Sequence, residues 1–184
     1  MNILSELGLK YGTDKGTKHH YLDVYFNLFK DKRNEVKKVL EIGTAEGAGV
    51  YMFRDFFPNA TIYGAEIDQK RVDMLQEKER IQVYKCDQAN NLDIYELINK
   101  TGNDIDLVIE DGSHKPSDQV FTAKSLIPIL KKGSVYIIED VADVSIAEEL
   151  KRYNPKVLEV GKRYDDRMIL LKKCLKRLQE IYQI

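Results

Sequence analysis

The sequence predicts an α/β domain built on a mostly parallel sheet. Three observations carry this. Short β-branched apolar runs alternate with helix-length amphipathic segments from residue 36 to residue 171. A glycine-rich turn, Gly43-Thr44-Ala45-Glu46-Gly47-Ala48-Gly49, follows the first of these runs. The polar clusters fall just after the apolar runs, where a parallel sheet places its ligand crevice.

The elements follow in order. Around residues 11–17, two glycines and a Thr-Asp pair read as turn or loop. Residues 20–29 form an aromatic-rich helix, with Tyr21, Leu22, Tyr25, Leu28 and Phe29 on one broad face. Strands are then predicted over 36–42, 61–66, 81–86, 105–110 and 134–139. Helices are predicted between and after them, over 47–56, 69–77, 92–99, 118–130 and 145–151. Two last strands, 157–160 and 168–171, are joined by residues 161–167, too few for a parallel crossover, so they should pair antiparallel. Residues 172–184 read as an amphipathic helix that packs on the core or forms a dimer contact. The chain is read as a single domain, with 1–34 an arm and helix, 35–171 the sheet core and 172–184 a helical tail.

Composition narrows the function classes. The chain has 184 residues, enough for one sizeable core, and 29 Lys+Arg against 30 Asp+Glu leave a net charge of −1. That balance disfavours a nucleic-acid-binding field. Two cysteines, Cys86 and Cys174, with no CxxC, fit a reducing, cytoplasmic compartment. No stretch reaches the ~20 apolar residues of a membrane span, and the first residues lack a basic, then apolar, leader pattern.

Asp111-Gly112-Ser113-His114 ends one apolar run, and Glu139-Asp140 ends the next, 28 residues later. Neighbouring parallel strands would bring these three carboxylates and an imidazole to one sheet edge. Adjacent anions repel unless a cation sits among them, so the cluster reads as a divalent-metal site with a histidine beside it. Each half taken alone also reads as an ordinary turn or helix cap, and His114 as a loop histidine bonded to a neighbour. A hard ion such as Mg2+ or Mn2+ suits carboxylates better than zinc does. His19 and His20 start a helix, and Tyr21 and Tyr25 read as core.

The glycine turn points to a nucleotide-like cofactor. The dinucleotide pattern G-x-G-x-x-G fails at Ala45, and Glu46 puts a negative charge where phosphates would lie. No Gly-Lys-Ser/Thr follows, so it is not a P-loop. Acidic residues around the turn suit a ligand with ammonium and sulfonium charges, which is S-adenosylmethionine. Glu66, ending the second strand, is placed to hold ribose hydroxyls, and Asp87-Gln88, after the third, to meet adenine. Glu66 also reads as a cap for the next helix, and Glu41 as an acceptor for loop amides.

Glu41-x-Gly43-x-x-x-Gly47, with the Glu66 strand end and Asp87, resembles the class I methyltransferases. Asp-Gly-Ser-His with Glu-Asp 28 residues on resembles, more narrowly, the metal-dependent sugar O-methyltransferases typified by the macrocin and mycinamicin enzymes, and the related cephalosporin-hydroxylase-type group. The arm Tyr11-Gly12-Thr13-Asp14-Lys15 and the closing Tyr164-Asp165-Asp166-Arg167-Met168-Ile169-Leu170-Leu171 share the likeness, which spans about residues 8–171. It implies a Rossmann-like class I methyltransferase fold, a mostly parallel seven-stranded sheet with one antiparallel strand and helices on both faces. It implies Asp111, Glu139 and Asp140 as Mg2+ ligands and His114 as general base. Glu41, Gly43, Gly47, Glu66, Asp87 and Gln88 are the expected cofactor residues.

The expected activity is methyl transfer from S-adenosylmethionine to a hydroxyl of a sugar, nucleotide sugar or glycoside, with a homo-oligomer open. The rival readings are a catechol-type O-methyltransferase acting on an aromatic diol and a non-catalytic S-adenosylmethionine-binding scaffold. Ala45 and Glu46 count against an NAD-dependent oxidoreductase.

Overall fold

A computed structural model describes residues 1–76 and 78–172. The strands are β1 (Lys38–Ile42), β2 (Thr61–Glu66), β3 (Ile81–Lys85), β4 (Leu107–Glu110), β5 (Val135–Ile138), β6 (Lys156–Glu159) and β7 (Arg167–Lys172). The helices are α1 (Ile3–Tyr11), α2 (Leu22–Phe29), α3 (Ala48–Phe56), α4 (Gln69–Met74), α5 (Asn91–Thr101), α6 (Pro116–Leu126) and α7 (Ile146–Glu149).

Alternation along the strands divides the interior in two. Leu107 and Ile109 of β4 enter one apolar cluster and Val108 the other; Val135 and Ile137 of β5 part from Tyr136 and Ile138 in the same way. This is the period of two that pleating imposes. Helices α1, α2 and α3 cover the first face through Leu4, Tyr25, Phe29, Val50, Phe53 and Phe56. Helices α5, α6 and α7 cover the second through Ile94, Leu97, Val120, Leu126 and Ile146.

The sheet runs β3-β2-β1-β4-β5-β7-β6. Strands β1 to β5 are parallel, and β7 is antiparallel to both neighbours, β5 and β6. The predicted seven-stranded sheet with one antiparallel strand is therefore present. The chain turns outward in opposite directions from β1 and β4, so a crevice opens above their carboxyl ends. Gly43 closes its floor. It has φ +84, and a Cβ there would run into the backbone carbonyl of Asp111, so only glycine lets the β1 turn lie against the loop after β4.

Most predicted elements differ from the observed ones by a few residues at their ends. Helix α1 is the exception. Gly12 and Gly16 predict turn in this region. Residues 3–11 are helical, capped by the Asn2 side chain, which accepts from Ser5 N at 3.0 Å, and ended by Gly12 at φ +69. The predicted turn begins only there, as a 3-10 turn over Asp14–Gly16. The predicted tail helix lies, beyond Lys172, outside the described residues.

Candidate active site

The crevice is a cavity of about 630 Å³ lined from five strand ends, well within the range of small-molecule sites. Its first half gathers Gly43, Ala45, Ala65, Glu66, Ile67, Cys86 and Asp87. Glu66 is buried, and its carboxylate accepts from Ala45 N at 2.9 Å and Asp68 N at 3.0 Å. Glu66 thus fastens the glycine turn to the start of α4 as well as lining the cavity. Asp87 lines it too, its Oδ1 accepting from Ala89 N at 2.9 Å. Gln88 borders the cavity, but its side chain is spent on the protein. Its Oε1 accepts from Ser113 N at 2.7 Å, and its Nε2 donates to Glu110 Oε1 at 2.6 Å. Glu41 faces a smaller adjoining cavity of about 240 Å³, shared with Gly43, Thr44 and Gly49. Gly47 lines neither cavity; at φ +87 it forms the turn that starts α3.

The second half gathers Asp111, His114 and Asp140. One ligand atom from each lies within 4.8 Å of the others. His114 Nδ1 stands 3.2 Å from Asp140 Oδ2 and 3.9 Å from Asp111 Oδ1. His114 (φ +57) and Asp140 (φ +50) both sit in the left-handed backbone region, as does Ala45 (φ +46). Non-glycine residues rarely hold this conformation, and it tends to gather at functional sites.

Glu139 lies on this cavity too, but its carboxylate is bound elsewhere. Its Oε2 accepts from Lys15 Nζ at 2.6 Å and its Oε1 from the Tyr25 hydroxyl at 2.5 Å. Lys15 also donates to Asp111 Oδ2 at 2.5 Å and lies 3.4 Å from Glu41 Oε1. Burial works against the Lys15 charge, but Asp111, Glu139 and Glu41 outweigh it, so its pKa lies well above the usual lysine value. The sequence argument asked for a cation among the strand-end acids, and the chain supplies one of its own.

Three further residues of the same segment serve the site. Tyr21 donates to Asp140 Oδ1 at 2.5 Å. His19 is buried, stacks on Tyr21 with ring centroids 4.9 Å apart, and places Nδ1 2.7 Å from Asp166 Oδ1. Tyr21 and Tyr25, read from sequence as core, are core residues whose hydroxyls hold Asp140 and Glu139. Their spacing of four on one helix face was a visible signal; their carboxylate partners, more than a hundred residues away, were not.

Below the cavity floor, Glu110 is fully buried. Burial is the main cause that pushes its pKa up to about 8, against the Gln88 hydrogen bond and with help from Asp111. Burial likewise raises Glu41 to about 7, Lys15 pulling it down and Asp111 up.

A family described as a methyltransferase domain matches residues 40–141. The mycinamicin VI 2''-O-methyltransferase of Micromonospora griseorubida is 35% identical over 147 residues, 75% of this chain and 36% of that protein. The demethylmacrocin O-methyltransferase of Streptomyces fradiae is 34% identical over 146 residues, with the same coverage of each. Among solved structures, the methyltransferase MycE, in complex with Mg, SAH and mycinamycin VI, is similar at TM-score 0.76 and 25% identity, over 93% of this chain and 54% of that one. The chain thus spans about a third of the length of the curated relatives it matches. The matched segment runs from β1 through the Asp111 loop to Asp140, the stretch that supplies all five strand ends of the cavity, and the chain belongs to the methyltransferase-domain family.

Proposed function

We propose that this protein transfers a methyl group from S-adenosylmethionine to a hydroxyl of a sugar or glycoside, with Mg2+ or Mn2+ as its ion. One observation carries the reading: a single cavity joins the Gly43–Glu66–Asp87 half, shaped for a nucleoside, to the Asp111–His114–Asp140 cluster. The likeness to two sugar O-methyltransferases and to MycE with Mg and SAH supports it.

The donor set fits a divalent ion, since carboxylates from the loops after β4 and β5 converge with an imidazole beside them. Asp111 and Asp140 would hold it, Glu139 being the third acid of the sequence-based set. Such an ion, when bound, lowers the pKa of a ligated hydroxyl and fixes its position. The chain does the rest. Glu66 and Asp87 offer acceptors for ribose and adenine. Tyr21 orients the Asp140 carboxylate. Asp140 lies 3.2 Å from His114 Nδ1, and His114 would take the acceptor's proton as general base. His114 is 44% exposed, enough to meet a substrate. In-line displacement then needs only the acceptor oxygen held in register. We place the reaction in a reducing, cytoplasmic setting, a reading that the buried free thiol of Cys86 supports.

The test is a panel of nucleotide sugars, glycosides and phenols, incubated with S-adenosylmethionine and Mg2+ and read by mass spectrometry. A methylated sugar hydroxyl is expected, and chelation should silence it. Full turnover in excess chelator, or binding of NADH in preference to S-adenosylmethionine, would sink the reading; a methylated phenol alone would move the acceptor class to aromatic diols.

A further inference from the structure

Asp111 faces two cation environments. Its Oδ2 takes the Lys15 ammonium at 2.5 Å, while its Oδ1 belongs to the side of the Asp111–His114–Asp140 cluster, 3.9 Å from His114 Nδ1. The ammonium is well enclosed, since Lys15 is 3% exposed and Glu139 1%. Glu41 adds a third carboxylate at 3.4 Å, and Tyr25 completes Glu139 by donating to its other oxygen. An ion held by Asp111 and Asp140 would therefore draw on a carboxylate already shared with a buried positive charge. Two cations on one ligand oppose each other, and they do so most where water is kept out. Glu139, the third acid at this sheet edge, has both oxygens engaged by Lys15 and Tyr25.

We propose that Lys15 is a built-in competitor that sets the affinity of this protein for its divalent ion, by holding Glu139 and one oxygen of Asp111 against the ion's pull. The inference rests on the metal reading above and goes beyond it. It assigns the arm a task that no strand-end residue performs. The lysine neutralises the acid edge by itself, so the fold does not depend on the metal, and the metal binds more loosely and exchanges more readily than three free carboxylates would allow.

The experiment compares wild type with Lys15→Met, which keeps most of the volume and removes the charge. Mn2+ binding is measured by calorimetry, and melting is followed in chelator and in Mn2+. The variant should bind Mn2+ about ten- to a hundredfold more tightly, the effect of removing one nearby buried charge. It should melt lower than wild type in chelator and recover more on adding Mn2+. Equal or weaker Mn2+ binding by a folded variant, with wild type binding normally, overturns the proposal and makes Lys15 a positioning residue for Asp111. If neither protein binds Mn2+, the metal reading itself fails. Should that variant not fold, Lys15→Gln, which also removes the charge but keeps a polar end to meet the carboxylates, is measured in the same way, and Mn2+ binding no tighter than wild type by the folded protein overturns the proposal.

Discussion

Gln88 ties the two halves of the cavity together with one side chain. It holds Ser113 N in the loop that carries Asp111 and His114, and Glu110 at the end of β4. Gln88→Leu would take one hydrogen bond from each partner, at about 1–3 kcal/mol for a buried polar group left unsatisfied. Denaturant melts should show that loss, and kcat should fall more than S-adenosylmethionine affinity. A large loss of cofactor affinity with kcat intact would restore Gln88 to the cofactor contacts. His114→Ala should cost roughly 10²–10⁴ in kcat, the usual worth of a positioned base, with Mn2+ affinity kept. If metal affinity falls instead, His114 is a ligand. Glu110 gives a pH prediction. Its folded pKa, about 8, lies above the unfolded value near 4.5, so the folded state holds the extra proton between them. Stability from this group is fully present below ~4.5 and is lost as pH rises through ~8. Glu41, at about 7, acts in the same direction. Glu110→Gln should flatten the decline between pH 5 and 8.5 in urea melts, and an unchanged slope would exclude Glu110 as its source. At this scale the acids and His114 were legible, because strand ends mark themselves. The role of Gln88 was not legible, because a strand-end side chain that meets a ligand and one that holds a loop look alike until neighbours are known. Lys15 was visible only as the end of the arm motif, and its task was not, because it stands 96 residues from Asp111 and no local pattern spans that gap.

Helix α2 works with the turn before it as one arm of the site. Its apolar side, Leu22, Tyr25 and Phe29, is buried, and Tyr25 packs edge-on against Phe53 of α3 at 5.2 Å. Tyr25→Phe keeps that contact and removes the hydroxyl from Glu139, so it should destabilise by about 1–3 kcal/mol. Tyr21→Phe frees Asp140, which is 18% exposed and open to water, and should cost less stability but more activity. Paired denaturation and rate measurements would check this, and the reverse order would show Tyr25 to be the functional hydroxyl. Strands β1 to β5 were legible because a buried parallel strand is a short, nearly unbroken apolar run, and helices between them follow from the crossover geometry. Helix α1 was not. Gly12 and Gly16 drew the reading toward turn, and Gly8 gave no helix signal, yet a Cβ at Gly8 or Gly16 would run into the Leu22 side chain. They are small because α2 packs against them, a reason that lies in the partner element and not in the segment itself.

The described chain is a sheet core clasped by its own first thirty residues. Leu4, Tyr21, Leu22, Tyr25 and Phe29 join the larger apolar cluster, and α1 packs on α3, with Lys10 reaching Asp55 at 3.0 Å. Deleting residues 1–20 would expose that face and strip Lys15 from three carboxylates. The expected result is a melting temperature lower by roughly 10 °C or more, at about 2–4 °C per kcal/mol for a chain of this size. A truncated chain that melts like the full one would show the arm to be an accessory. The contacts of this clasp span most of the sequence: Lys15 to Glu139 over 124 residues, Tyr25 to Glu139 over 114, His19 to Asp166 over 147. The arm leaves the ribosome ahead of the sheet core and can dock only after β5 and the β7 approach have been made. Non-local pairing of this kind is slow, so translation imposes an order in which the acid edge exists, unneutralised, before its lysine arrives. Pulse-labelled refolding should find the amides of residues 13–25 protected last, and the same amides should be the first to open when the native protein breathes.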